Sequence, residues 1–281
     1  MQHDLYRFGG ITFAIVSDEP IERSKMCEPF RLPDGAADHT IRLTFSDDFP
    51  EPPAEAAQSA PVYRWQTGAE RHLLELYSVP GAPPQFTYAV TRGAHTEVTF
   101  AERYRAGAST RAVLEAAGLF DIFADAGILV LHSAYIVTPA SEAILFSGPS
   151  GIGKSTQAAL WEQFGGARIV NGDRALLDTG KKTANGIFYS GTSGICRNVT
   201  APIRAIVLLG QSDENRVSVP SPQAAFAGVL SQCAYYAWDT LSAIRMTECA
   251  ARLVSNVPVL RFDCLADASA VSMLQERLGG I

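Results

Sequence analysis

The stretch Gly148-Pro149-Ser150-Gly151-Ile152-Gly153-Lys154-Ser155-Thr156 carries the pattern G-x-x-x-x-G-K-[ST], the phosphate loop of ATP- and GTP-binding proteins. A polyphosphate is an anion that needs donors at close range and no side chains in the way. Gly148, Gly151 and Gly153 permit positive φ and a direct approach of the backbone. The cradle would comprise Ser150, Gly151, Ile152, Gly153, Lys154, Ser155 and Thr156, with amides facing an anion at the positive end of a helix. Lys154 reaches the β- and γ-phosphates in such a loop, and the Ser155 hydroxyl takes a place on Mg²⁺.

Three further residues extend that chemistry. Asp173 ends the run Ala167-Arg168-Ile169-Val170-Asn171-Gly172-Asp173, and a strand delivering an acid after a phosphate loop and helix is how a Mg²⁺-anchoring carboxylate arrives. Asp178, in a Thr-Gly turn, is the weaker choice. His132 either handles a proton beside the phosphates or is a histidine satisfied by backbone. Arg197, in the glycine- and hydroxyl-rich stretch 191–198 that also holds Cys196, is either a clamp for phosphate or an acidic group, or a solvated loop arginine.

The flanking sequence supplies the elements such a site needs. Ala143-Ile144-Leu145-Phe146-Ser147 is a strand-length apolar run that enters the loop. Residues 155–164 are helix formers, with Leu160 and Phe164 spaced to share a face and Gly165-Gly166 as a stop. Upstream, residues 128–137 are strand-like, and only the turn 138–142 separates them from the next strand. A parallel crossover needs a dozen or more residues, so this pair must be antiparallel. The sheet is therefore expected to be mixed at the nucleotide, with His132 and Ser133 opposite Ser147 and Gly148.

Residues 1–108 read as a β-rich domain, with strands near 11–16, 39–45, 72–77, 86–90 and 96–100. Residues 46–61, acidic and rich in proline and alanine, read as an exposed loop, and Arg64, Arg71 and His72 as isolated surface residues. Residues 109–281 form the second expected domain. Ser109 caps a helix to Ala117, helices follow at 221–235, 239–254 and 266–278, and strands at 187–189, 202–209 and 258–262. Tyr235, Tyr236 and Trp238 read as core aromatics.

Composition excludes several classes. A chain of 281 residues with 47% hydrophobic and 19% charged residues is globular in type. A net charge of -6 argues against a general nucleic-acid binder. No apolar stretch is long enough to span a bilayer. The five cysteines form no C-x-x-C pair, which points to reduced thiols in the cytoplasm rather than to a disulfide framework or a zinc site. Oligomerisation stays open.

Through Leu131-His132-Ser133, the phosphate loop and Asn171-Gly172-Asp173, the C-terminal half resembles the HPr serine kinase/phosphorylase superfamily and, more distantly, ATP-type phosphoenolpyruvate carboxykinases. The resemblance implies an α/β fold, a mixed-sheet P-loop kinase of the phosphoenolpyruvate carboxykinase-like type, here behind a β-rich N-terminal domain. It also implies ATP and Mg²⁺ as cofactors, and a hydroxyl acceptor on a peptide, a protein or a small molecule. The family carries two consecutive acids, one on metal and one taking the acceptor proton. Asp173 matches the second, and Gly172 stands in the first one's place. On this resemblance Lys154, His132, Asp173 and Arg197 are the catalytic candidates, and Ser155 and Asp173 the metal candidates. The alternatives are a non-catalytic ATP-binding regulatory or scaffold module, and an ATPase-type switch.

Overall fold

In the computed structural model, which describes residues 1–59, 61–77 and 85–280, the chain is mixed α/β, built on two large mixed sheets. Ala60 of the expected 46–61 loop lies outside the described residues. The chain divides into a first unit of Met1–Ile122 with Tyr236–Ala243, and a second of Phe123–Tyr235 with Ile244–Ile281. The division falls after residue 122 rather than near 108. The reason is local: the backbones of Ala108 and Thr110 bond to Glu22, and the Ser24 amide donates to the Thr110 hydroxyl.

The first unit holds β1 (Gln2–Phe8), β2 (Ile11–Ser17), β3 (Arg31–Leu32), β4 (His39–Phe45), β5 (Ala57–Ser59), β6 (Val62–Thr67), β7 (Glu70–Tyr77), β8 (Gln85–Arg92) and β9 (His95–Phe100). They form one sheet in the order β3-β1-β2-β4-β9-β8-β7-β6-β5. Helices α1 (Thr110–Ala116) and α2 (Leu119–Asp125) follow, α1 capped by the Ser109 side chain. Strands β1 and β6, too mixed in polarity to stand out in sequence, are paired over their whole lengths with β2 and β7. The 46–61 segment carries β5 at its end.

Arg64 and His72 are not surface residues: they are 6% and 9% exposed. The Arg64 guanidinium pairs with Asp121 and Asp239 and lies 4.0 Å over the Tyr236 ring. Such an ion pair survives burial because two carboxylates and an aromatic face replace the lost water. Tyr236 is accordingly half-buried around a cation rather than part of an apolar core. His72 stacks on Trp65 with ring centroids 4.8 Å apart, and its Nδ1 lies 2.6 Å from the Tyr88 hydroxyl.

The second unit contains β10 (Ile128–Val137), β11 (Ala143–Ser147), α3 (Lys154–Phe164), β12 (Arg168–Asn171), β13 (Arg174–Asp178), β14 (Thr183–Asn185), β15 (Thr200–Gln211), β16 (Arg216–Ser218), α4 (Pro222–Leu230), all but the first turn of α5 (Thr240–Val254), β17 (Val259–Cys264) and α6 (Ala268–Gly279). Strand β10 pairs antiparallel with β11, in the register Ser133 to Ser147, as the short turn requires. Strand β11 is parallel to β15, and β15 to β17. The sheet is thus mixed where it meets the loop. Because β11 pairs with both β10 and β15, the circuit β10-β13-β14-β15-β11 closes on itself.

Successive residues of β10 and β11 enter different cores. Leu131, Tyr135 and Leu145 join one cluster, and Ala134, Ile136 and Phe146 the other. Both faces are covered, so the strands are apolar throughout rather than alternating. Helix α3 packs on the second cluster through Ala158 and Trp161, with Trp161 6.2 Å from Phe146. That aromatic pair contributes about 0.5–1.5 kcal/mol beyond its buried area. Of the Leu160/Phe164 pair only Leu160 packs on that cluster, and Phe164 is 51% exposed.

Helix α4 ends at Leu230, five residues short of Tyr235, because the chain beyond it runs along β10. The His132 amide donates to the Gln232 carbonyl, and the Ala234 amide to that of Val130. The described residues contain no helix long and apolar enough to cross a membrane.

Candidate functional site

Strand β11 delivers the chain to Gly148, and the loop bends there with φ 147°, then enters α3 from Gly153 at φ 111°. Both values lie in the region that only glycine occupies without strain. No side chain caps the first turn of α3, whereas Ser109, Ser221 and Asp267 cap α1, α4 and α6. The first-turn amides of α3 are therefore available to an anion at the positive end of the helix. Lys154 is buried and folds back over the loop, its Nζ 2.9 Å from the Gly148 carbonyl and 3.0 Å from that of Pro149. Burial lowers its pKa, against the opposing pull of Asp173.

A cavity of about 410 Å³ opens over this loop. Ser150, Gly151, Gly153, Lys154, Ser155 and Thr156 line it from the loop side. Gly148 and Ile152, the other loop candidates, shape the bend without lining it: a Cβ on Gly148 would meet the Ile152 side chain at 3.2 Å. His132, Gly172, Asp173, Gly191 and Thr192 complete the wall.

Asp173 is not the last residue of a strand. Strand β12 stops at Asn171, and Asp173 stands in the bend before β13. Asn171 builds that bend. Its Oδ1 accepts from the amides of Asp173 and Arg174, and its Nδ2 donates to the carbonyls of Ile187 and Tyr189. The side chain is fully buried, so it replaces water for four backbone groups at once. The Asp173 carbonyl also accepts from the Ser133 amide, which fixes the bend to β10. The Asp173 carboxylate then lies 3.6 Å from His132 Nε2 and 3.4 Å from Arg174 Nε. Arg174 in turn covers the Tyr189 ring.

His132 is therefore beside the loop, as the hairpin register implies, with its backbone carbonyl accepting from the Ser147 hydroxyl. Burial lowers its pKa, Lys154 and Arg174 lower it further, and Asp173 opposes them. The net shift favours the neutral imidazole, the form that accepts a proton.

Gly172 is a packing requirement. A Cβ there would stand 2.4 Å from Ser193 Oγ and 2.7 Å from Ser193 Cβ. The turn Gly191–Ser193 also leaves little room beside Asp173, whose Cβ, Cγ and Oδ1 lie 3.0 Å from where a Gly191 Cβ would sit. Ser193 is held by donating to the Ser190 carbonyl and accepting from the Ile195 amide. The place where a second acid would project is filled by this turn.

Arg197 does not join the group. Its guanidinium donates to the Ile169 carbonyl and its amide to that of Val170, so it fastens the 191–198 stretch to β12 outside the cavity lining. Asp178 is likewise remote in role, accepting from the amides of Gly180 and Lys181 in the β13–β14 turn.

Sequence reasoning missed Asn171 and Thr192. An Asn-Gly-Asp run is a turn signal that would have revealed the first, and the Cys196–Asn171 bridge is what brings the loop of the second to the site. Ser155 and Asp173, the metal candidates of the sequence, both line the cavity. One carboxylate, one hydroxyl, phosphate oxygens and water make a donor set that suits Mg²⁺. The described residues contain no group of three or more His, Cys, Asp or Glu placed to hold a metal by themselves. No protein-family model matches the chain, and no curated protein does either.

Proposed function

We propose that this chain is an ATP- and Mg²⁺-dependent phosphotransferase that moves the γ-phosphoryl group to a hydroxyl acceptor on a peptide, a protein or a small molecule. The observation that carries the reading is a single cavity shared by the phosphate-loop residues, Asp173 and His132. The hairpin entering the loop and the mixed sheet support the phosphoenolpyruvate carboxykinase-like arrangement of HPr kinase-like proteins.

Phosphoryl transfer asks a protein mainly for positioning and charge neutralisation. The loop amides and Lys154 hold the phosphates and stabilise charge on the transferring group. Ser155 and Asp173 would hold Mg²⁺, which supplies further neutralisation of the phosphate oxygens. His132 takes the acceptor's proton, and Asp173 stabilises the imidazolium that results. Within the 191–198 stretch, Arg197 supports the wall rather than the phosphates.

A second reading is a nucleotide-binding module without transfer, favoured by Ser193 standing where the first acid of the HPr kinase-like pair would project from position 172. Calorimetry with MgATP, followed by γ-labelled ATP offered with hydroxyl peptides and small alcohols, separates the two. Binding with labelled acceptor establishes the kinase. Binding with no labelled product and no phosphate release leaves the module, and steady phosphate release without acceptor means an ATPase switch. Failure to bind MgATP removes all three.

A further inference from the structure

We propose that Thr192 is a phosphorylation site of this same chain, an internal acceptor for the γ-phosphoryl group of ATP bound at the phosphate loop; the inference rests on the phosphotransferase reading above. Thr192 is exposed and lines the cavity, beside Gly191, where an added Cβ would stand 3.0 Å from the Asp173 carboxylate. Its turn is flanked by Gly191 at φ 53° and Gly194 at φ 66°, and is pinned by the contact of Ser193 with Gly172.

Several hydroxyls face this cavity, and their placement separates them. Ser150, Ser155 and Thr156 belong to the loop that holds the leaving diphosphate. An in-line displacement requires the nucleophile to arrive from the other side. Ser193, beside Thr192 but outside the cavity lining, uses its hydroxyl in two hydrogen bonds with backbone. Thr192 alone combines a place on the wall of Asp173 and His132 with a position off the loop. The space that an acidic pair would need is filled by the turn that presents it.

The step balances within the groups named. Thr192 Oγ1 forms a bond to the γ-phosphorus, and the bond from that phosphorus to the β–γ bridging oxygen breaks. Its electron pair leaves with ADP, and the hydroxyl proton passes to His132. The products are phosphothreonine, ADP and an imidazolium. A phosphoester on Thr192 is stable to acid, whereas a phosphoramidate on His132 is not.

The test uses the full chain, Mg²⁺ and γ-labelled ATP with no added acceptor. The expected result is one acid-stable phosphoryl group per chain, mapped to Thr192, incorporated at a rate per chain that does not change on dilution. Thr192→Ala should lose at least about tenfold of the incorporation while binding MgATP in calorimetry as the parent does. Thr192→Ser should retain it. Binding of MgATP without label, acid-labile label, label mapped elsewhere, or undiminished label in Thr192→Ala overturns the proposal and leaves the nucleotide site standing. Failure to bind MgATP at all overturns both.

Discussion

The two walls of the cavity are made in opposite ways. The loop wall is contiguous: residues 148–156 carry all of it, and its geometry follows from three glycines, one lysine and the helix start behind them. The facing wall is assembled from three distant segments, His132 on β10, the bend at Gly172 and Asp173, and the turn at Gly191 and Thr192. What holds it is side chain to backbone: Asn171 tying the bend to the 187–190 segment, and Ser193 seated on Gly172. The first wall is the anion site of the proposed function, and nothing in it distinguishes one triphosphate from another. The second depends for its shape on tertiary contacts rather than on the sequence of the loop.

The largest expected effect lies on the contiguous wall. Lys154→Ala should lower phosphoryl transfer by about a thousandfold, the scale on which single charge-stabilising groups act. It also removes two bonds to loop carbonyls, at a stability cost of about 1–3 kcal/mol. Steady-state kinetics with labelled ATP, alongside urea unfolding, checks both figures. Near-parental turnover would mean that the loop wall is not where the chemistry is supported.

Next comes the facing wall. Gly172→Asp supplies the acid that the proposed HPr kinase-like arrangement would place there, yet it should not raise activity, because its Cβ meets Ser193 at 2.4 Å. We expect a loss of about 1–3 kcal/mol from overpacking. Gly172→Asp with Ser193→Gly should recover part of that loss, a coupling that a double-mutant cycle reads directly. Additive losses would show that Ser193 is not what excludes the acid.

The same contrast explains how much was legible in the sequence. The loop, its strand and helix, and the antiparallel hairpin could be read because each depends on neighbours in the chain or on a turn too short for any other pairing. The register even placed His132. Asp173 was found, but as a strand end rather than a bend, because the Asn171 side chain that makes the bend does so through tertiary bonds to Ile187 and Tyr189. Arg64 looked like a surface residue because its partners are Asp121 and, 175 positions away, Asp239. Thr192 carried no periodicity at all. Its significance depends on a turn docked against Gly172, which no local pattern encodes.

A smaller effect should appear in pH dependence. His132 has its folded pKa below its ordinary value of 6.5, so below that pH the unfolded chain binds more protons than the folded one. Its contribution to stability is full above 6.5 and is lost as pH falls through the folded value. Urea midpoints measured from neutral to mildly acidic pH should therefore decline, and His132→Asn should flatten the decline. Phosphoryl transfer should lose its acid limb in the same variant. A parental slope in His132→Asn would assign the proton uptake to another group, such as His39, whose pKa is pushed down to about 4 by burial.

The smallest effect expected is at Arg197, and it tests where the facing wall ends. The guanidinium bonds to the Ile169 carbonyl and points no group into the cavity lining. Arg197→Ala keeps the amide bond to Val170, which is what fastens the stretch to β12. One side-chain bond on an exposed residue is worth about 0.5–1.5 kcal/mol, so the variant should unfold slightly earlier and transfer phosphate within about twofold of the parent. A hundredfold loss in kcat with an unchanged unfolding midpoint would mean that the arginine leaves Ile169 when nucleotide binds and turns to the phosphates. The facing wall would then have a fourth, mobile contributor, and the division between the wall that binds phosphate and the wall facing it would no longer hold.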